Sequence, residues 1–262
     1  MIPKIAHWIW LYEPLPEWAV QNIAQFQKLH PGWTTIVWHQ PPREFPKGLR
    51  QLMDKLEFYA SRSDILRYWL LNRFGGIYLD CDNYALRYFG PLLVNQFFTA
   101  SYDEEDPALV GCGLMGSEPE SYASGMILES VRLRASLSNV YERTSFGPKI
   151  MQALFARDAA SWSAKLLPYY YFYLLQTRET AQEFLQADED MRSEILRRHE
   201  HKFINGVEPY SVHAWGIEDS STRKVEPYAQ SYYSIPQCCP VSAAMSGIAA
   251  EPDDLLLDLP SR

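Results

Sequence analysis

Two aspartates one residue apart, Asp80 and Asp82, follow the glycine pair Gly75-Gly76 and the apolar run Ile77-Tyr78-Leu79. If that run is a strand, positions i and i+2 share a face, so the two carboxylates converge and Cys81 turns into the opposite layer. Adjacent carboxylates repel unless a cation sits between them. Mg²⁺ or Mn²⁺ prefers oxygen ligands, keeps several waters and is commonly shared by one or two carboxylates and substrate phosphates. A diphosphate is therefore the natural third party. Taken alone, a D-x-D pair is a common solvated turn. Here the glycines and the apolar run fix where the acids emerge, and in open α/β sheets the carboxyl ends of strands are where ligands bind.

The elements that must position this pair are legible in the spacing. From Phe58 to Phe74 the apolar residues Ile65, Leu66, Trp69, Leu70 and Phe74 recur at helical intervals, and Gly75 suits the left-handed residue that ends a helix. Asp64 and Arg67, three apart on that helix, read by themselves as a surface ion pair of little energetic weight. Upstream, Trp18 to Leu29 reads as an amphipathic helix through Val20, Ile23, Phe26 and Leu29, with Thr34 to Trp38 as the next strand. Strand, helix, strand, helix, strand predicts an α/β fold with a Rossmann-like, mostly parallel central sheet flanked by helices. Further on, Asp103 to Asp106 read as a solvated acidic loop and Pro148 as the first residue of a helix to about Arg157. Glu179 to His201 reads as one helix with Phe184, Leu185, Met191, Ile195 and Leu196 inward. The bases Arg192, Arg197, Arg198, His199, His201 and Lys202 fall toward its carboxyl end, as the helix dipole favours.

The stretch Y-A-S-R-S-D-I-L-R-Y-W-L-L-N-R-F-G-G-I-Y-L-D-C-D, Tyr59 to Asp82, resembles the signature of the family 32 glycosyltransferases, whose sugar-binding region carries a D-x-D motif. That family includes fungal initiating mannosyltransferases and bacterial polysaccharide enzymes, and is related to the catalytic domains of clostridial glucosylating toxins. Ile2 to Trp10 is similar to its first strand, and His30-Pro31-Gly32-Trp33 to the lead into its second. The resemblance implies a GT-A fold, a nucleotide-sugar donor carrying UDP or GDP, a divalent Mn²⁺ or Mg²⁺, and retention of anomeric configuration. It sets Trp10 at the position whose ring stacks on the nucleotide base, although His7 to Trp10 reads equally well as a buried strand with His7 structural. It sets Asp64 and Arg67 on the donor's ribose and sugar hydroxyls, Tyr78 near the donor, Asp80 on sugar or ribose and metal, and Asp82 as the more direct metal ligand. Asp80, Asp82 and Arg67 are the expected catalytic residues. A flat ring offers stacking area, a carboxylate accepts from paired hydroxyls, and Arg presents a fixed fork of donors.

Beyond residue 90 the resemblance thins. Leu114 to Pro119 is similar to a family segment usually preceded by an asparagine, where this chain has Gly111-Cys112-Gly113. Thr144 to Pro148 resembles the family's T-G-P segment. Tyr210 to Trp215 resembles a late His-x-Trp segment that closes over diphosphate and metal, which implies His213 as a metal or phosphate ligand. The Ser-Trp pair that usually follows is missing, and Glu218 and Asp219 are fallback ligands. A nucleotide-sugar hydrolase and a non-catalytic binding scaffold remain the rival readings.

A chain of 262 residues, 47% hydrophobic, can bury a core as one α/β domain. The expected layout is a single domain over 1–235, with a nucleotide-sugar-binding half at 1–90 and an acceptor half at 91–235. A loosely ordered tail at 236–262 follows. The formal charge of −8 and the lack of a basic stripe exclude a nucleic-acid partner. The expected partners are the donor and a saccharide, glycolipid or protein acceptor. Cys81, Cys112 and the adjacent Cys238-Cys239 have neither disulfide-framework nor zinc spacing, which suggests a reducing compartment. With no leader-like segment and no apolar run of membrane-spanning length, the expected location is cytoplasmic, with peripheral membrane contact if the acceptor is lipid-linked.

Overall fold

The structure is a computed structural model that describes residues 1–11, 14–136, 144–158 and 163–215. The expected tail, Cys238-Cys239 and the fallback ligands Glu218 and Asp219 lie outside the described residues.

A six-stranded sheet forms the centre, in the order β2-β1-β3-β6-β5-β7. The strands are β1 (Ile5–Ile9), β2 (Thr34–Trp38), β3 (Gly76–Leu79), β5 (Phe97–Ala100), β6 (Leu114–Ser117) and β7 (Ala164–Leu167), while β4 (Asn83–Ala85) pairs elsewhere. β1 runs parallel to both β2 and β3, and β5 parallel to β7. β6 is antiparallel to its neighbours β3 and β5. This is the mostly parallel α/β sheet expected of a GT-A fold.

Side-chain alternation splits the core into two layers. Tyr78, Phe97 and Met115 face the helices α2 (Lys47–Asp54), α3 (Tyr59–Phe74), α4 (Tyr122–Ala135) and α5 (Pro148–Asp158). Ile77, Leu79, Phe98 and Leu114 face the other way, with Trp8, Trp10 and the helix α1 (Glu17–Leu29). The buried stripe of α1 is Ala19, Asn22, Ile23 and Phe26. Val20, expected inside, is 43% exposed, because the stripe starts one residue earlier and carries a polar Asn22 in its middle.

α3 is the central helix. Asp64, Ile65, Leu66, Arg67, Tyr68, Trp69, Leu70 and Leu71 are all buried, so Asp64 and Arg67 form no surface pair. Gly75 ends the helix at φ +66 with its N–H on Leu71 O, and Gly76 opens β3 at φ +93. A Cβ on Gly76 would lie 2.5 Å from the Ile5 carbonyl, so the glycine pair lets β3 leave the helix directly alongside β1.

A third cluster packs behind the sheet's far end around Tyr170, Leu174, Phe184, Ile195 and Val212. The single helix expected over 179–201 is two, α6 (Arg178–Gln186) and α7 (Glu189–Arg198). The break follows from Asp188, whose side chain accepts from Met191 N–H and starts α7 afresh. Met191, expected inward, is exposed as a result. The acids and bases of α7 do sit at its amino and carboxyl ends, but Arg192 lies instead over the Tyr84 ring at 4.5 Å. The short strand β8 (Ser211–His213) pairs antiparallel with β4, bringing the end of the described chain to the residues just after the D-x-D pair. Among the described residues, no helix is long and apolar enough to cross a membrane.

Candidate active site

The two aspartates converge by a different route from the one the spacing suggests. β3 stops at Leu79, and a turn follows in which the Asp80 carbonyl accepts from Asn83 N–H at 3.0 Å. Asp80 N–H donates to Gly113 O at 2.7 Å, which anchors the first acid to the entry of β6. Cys81 points into the core as expected, with Sγ 3.7 Å from Ile9 O, and burial pushes its thiol far up, leaving it inert. β4 then pairs Asn83 with His213. That register brings the imidazole to the acids: His213 Nε2 lies 3.4 Å from both Asp80 Oδ2 and Asp82 Oδ1. One ligand atom from each of these three residues falls within 4.8 Å of the others.

Arg67 ties this cluster to α3. Its guanidinium lies 3.2 Å from Asp80 Oδ1 and 3.3 Å from Asp64 Oδ1, donates to the Cys112 carbonyl at 2.8 Å, and stacks 4.3 Å from the Tyr78 ring centroid. Tyr78 Oη donates to Asp80 Oδ1 at 2.6 Å. At 1% exposure, Tyr78 stands behind Asp80 and acts on the cleft through it. Burial pushes the Asp64 carboxyl up to about 6 against the pull of Arg67, with the Asp80 charge adding to the rise. Asp80 goes the other way. Desolvation would raise it, but Arg67, His213 and the Tyr78 hydroxyl hold it below the ordinary carboxylate value. His213 is raised, since Asp82 and Asp80 outweigh the cost of burying its charge. The Trp215 N–H donates to Nδ1 at 3.1 Å, so the ring proton sits on Nε2, between the two acids.

The donor set fits a hard divalent ion: two carboxylates and one imidazole, with coordination positions left for phosphate oxygens and water. His213 can join through Nε2 only after that nitrogen gives up its proton and the Trp215 amide turns away from Nδ1. Trp215 has φ +59, uncommon for a bulky residue, at the last described position.

The remaining predicted residues are placed as follows. Trp10 lies just past the carboxyl end of β1, beside the end of β3, but is 6% exposed. Its indole N–H donates to Pro14 O and its ring meets Trp18 edge-on at 5.8 Å. His7 is structural, as expected: Nε2 donates to Gly75 O and Nδ1 accepts from the Trp38 indole.

Three glycines were not singled out by sequence reasoning. A Cβ on Gly113 would fall 2.7 Å from Asp80 Oδ2 and 2.9 Å from His213 Nε2. One on Gly111 would meet the Tyr173 hydroxyl at 2.4 Å, and one on Gly147 would meet Asp64 Oδ2 at 2.5 Å. Gly111-Cys112-Gly113, which departs from the family pattern, is thus shaped to this site, with its central carbonyl taken by Arg67. The departure itself was the available signal.

An α/β sheet thus carries a buried Arg-carboxylate network and a D-x-D turn at the carboxyl end of β3. Residues 16–99 match the family model described as "Glycosyltransferase sugar-binding region containing DXD motif". The matched stretch includes Asp64, Arg67, Tyr78, Asp80 and Asp82, and leaves Trp10 and His213 outside. The chain is 32% identical over 125 residues to the mannosyl phosphorylinositol ceramide synthase CSH1 of Saccharomyces cerevisiae, covering 45% of this chain and 32% of that one. It is 37% identical over 98 residues to inositol phosphoceramide mannosyltransferase 3 of Schizosaccharomyces pombe, covering 35% and 27%. It is 30% identical over 154 residues to the uncharacterized glycosyltransferase L373 of Acanthamoeba polyphaga mimivirus, covering 55% and 61%. The aligned stretch thus spans about a third of the first of these relatives. Among solved structures, the PaToxG glycosyltransferase is similar at 19% identity and a TM-score of 0.48, covering 80% of this chain and 89% of that one.

Proposed function

We propose that this protein is a retaining, metal-dependent glycosyltransferase that moves a sugar from a UDP- or GDP-sugar to a saccharide, glycolipid or protein acceptor. The observation that supports it most is the meeting of Asp80, Asp82 and His213 beside the buried Arg67 network. Asp82 and Asp80 would hold Mn²⁺ or Mg²⁺, with His213 as the third ligand. When bound, that ion neutralises charge building on the leaving diphosphate. Arg67 holds Asp80 in register and adds positive charge near the same oxygens. Asp64 would accept from donor hydroxyls as a carboxylate paired with Arg67. Tyr78 positions Asp80, and Trp10 borders the base. Residues 1–90 would bind the donor and 91–235 the acceptor.

Mannose is the first sugar to test, since several relatives are named for mannosyl transfer. A glycolipid acceptor, as those names also suggest, would bring the chain to a membrane surface. The test follows release of UDP or GDP from a panel of nucleotide sugars with Mn²⁺ or Mg²⁺, with and without acceptors. Metal-dependent release stimulated by an acceptor is expected, and Asp82→Asn should abolish it while leaving the thermal midpoint intact. Release that stays water-dependent with every acceptor would make the protein a hydrolase. Absence of both release and UDP or GDP binding would leave a scaffold.

A further inference from the structure

One face of α1 does not pack as helix faces normally do. Trp18, Asn22, Gln25 and Lys28 follow one another at intervals of three or four, with Gln21 beside Asn22, and so form a single stripe. This stripe faces β4 and the α6–α7 pair across a groove of about 340 Å³. Closely packed helices meet through apolar side chains, whereas this stripe is dominated by carboxamides and a lysine. Two of the carboxamides form the floor: Asn22 donates to the Cys81 carbonyl at 2.9 Å and Gln25 to the Ala85 carbonyl at 3.3 Å. The floor is therefore the back of the D-x-D turn and of β4.

The walls carry positive charge without compensation from their own lining. Arg192 is held rigidly, donating to Phe184 O, Leu185 O and Tyr84 Oη while lying over the Tyr84 ring. Lys28, at the other end, is exposed and makes no ion pair among the described residues. No residue lining the groove is acidic, although the chain as a whole carries −8. The nearest acid along the helix, Glu17, accepts from Gln21 Nε2. From Trp18 to Lys28 the groove follows ten residues of helix, roughly 15 Å. An aromatic ring at one end, carboxamides along the floor and two cations on the walls are complementary to linked sugar rings bearing a negative charge. The volume lies at the low end of the roughly 300–1,000 Å³ typical of small-ligand sites, which suits a short saccharide.

We infer that this groove is a second carbohydrate site, separate from the Asp80/Asp82/His213 cluster, that takes an acidic disaccharide unit. The inference does not require a donor, a metal or turnover, so its failure would leave the catalytic reading untouched. The test is titration of the ¹⁵N-labelled full chain, free of metal and nucleotide, with a glucuronate-containing disaccharide, with neutral cellobiose and with inorganic phosphate. The side-chain amide signals of Gln21 and Gln25 are expected to shift and saturate with the acidic disaccharide. Binding of cellobiose is expected to be at least tenfold weaker, and phosphate at equal concentration to leave both signals in place. Lys28→Glu, an exposed change that spares the fold, should weaken the acidic disaccharide at least tenfold with an unchanged melting profile. Silence with the acidic disaccharide overturns the proposal. So does an equal response to phosphate, an equal response to cellobiose, or unchanged binding in Lys28→Glu.

Discussion

Adding one methyl group at Gly113 tests whether the Asp80/Asp82/His213 arrangement is a working site. In Gly113→Ala the new Cβ would lie 2.7 Å from Asp80 Oδ2 and 2.9 Å from His213 Nε2, where ordinary contacts begin at 3.4 Å. Each group must retreat by roughly 0.5 Å or more, about the tolerance within which a functional constellation has to be held. Asp80 is not free to do so, being pinned through Oδ1 by Tyr78 and Arg67. Its retreat therefore sacrifices at least one hydrogen bond to a charged group, worth about 1.5–3 kcal/mol. Expressed in binding, that is about a ten- to hundred-fold loss of Mn²⁺ affinity. The struck atoms are side-chain ends, so the thermal midpoint should fall only slightly, toward the low end of the roughly 1–3 kcal/mol usual for overpacking. Calorimetric Mn²⁺ titration beside a thermal melt reads both quantities. A folded Gly113→Ala protein with wild-type Mn²⁺ affinity and wild-type nucleoside-diphosphate release would refute the assignment of this cluster.

Three further outcomes are expected. Tyr78→Phe removes the 2.6 Å bond that helps keep Asp80 ionised, so Mn²⁺ affinity should fall about tenfold or more without loss of fold, again by calorimetry. Because the raised pKa of His213 puts a proton in competition with the metal, Mn²⁺ affinity should weaken as pH falls through that pKa, and His213→Gln should flatten the dependence. His7 is buried as a neutral ring with both nitrogens committed, and burial lowers its pKa to about 4. The unfolded chain thus binds a proton at pH values where the native one does not. Stability should be complete above about pH 6.5 and fall by about 3 kcal/mol as pH drops toward 4, with His7→Asn flattening that part of a urea-denaturation series.

What could be read from the residues and what could not divide along a physical line. α3, its glycine stop and the entry into β3 depend on spacing within about twenty consecutive residues, and periodicity with one positive-φ glycine is enough to specify them. The parallel β2-β1-β3 half follows for the same reason, since each connection is a helix written in the same stretch. The burial of Asp64 and Arg67 was not legible, because the sequence of α3 gives their spacing but not the layer of α4, α5 and the Cys112 loop that closes over them. His213 reaches the acids through two three-residue strands more than a hundred positions apart, too short to carry an alternation pattern. At Ala187-Asp188 the sequence did hold a signal, an aspartate cap followed by acids, and helical periodicity on both sides obscured it. Gly111 and Gly113 are the most instructive case. Compared with a family pattern they look like the loss of an asparagine. In the fold they are the residues whose missing side chains leave room for the Tyr173 hydroxyl, Asp80 and His213 to meet, and an absent atom is recorded in a sequence only as a glycine whose reason lies elsewhere in the chain.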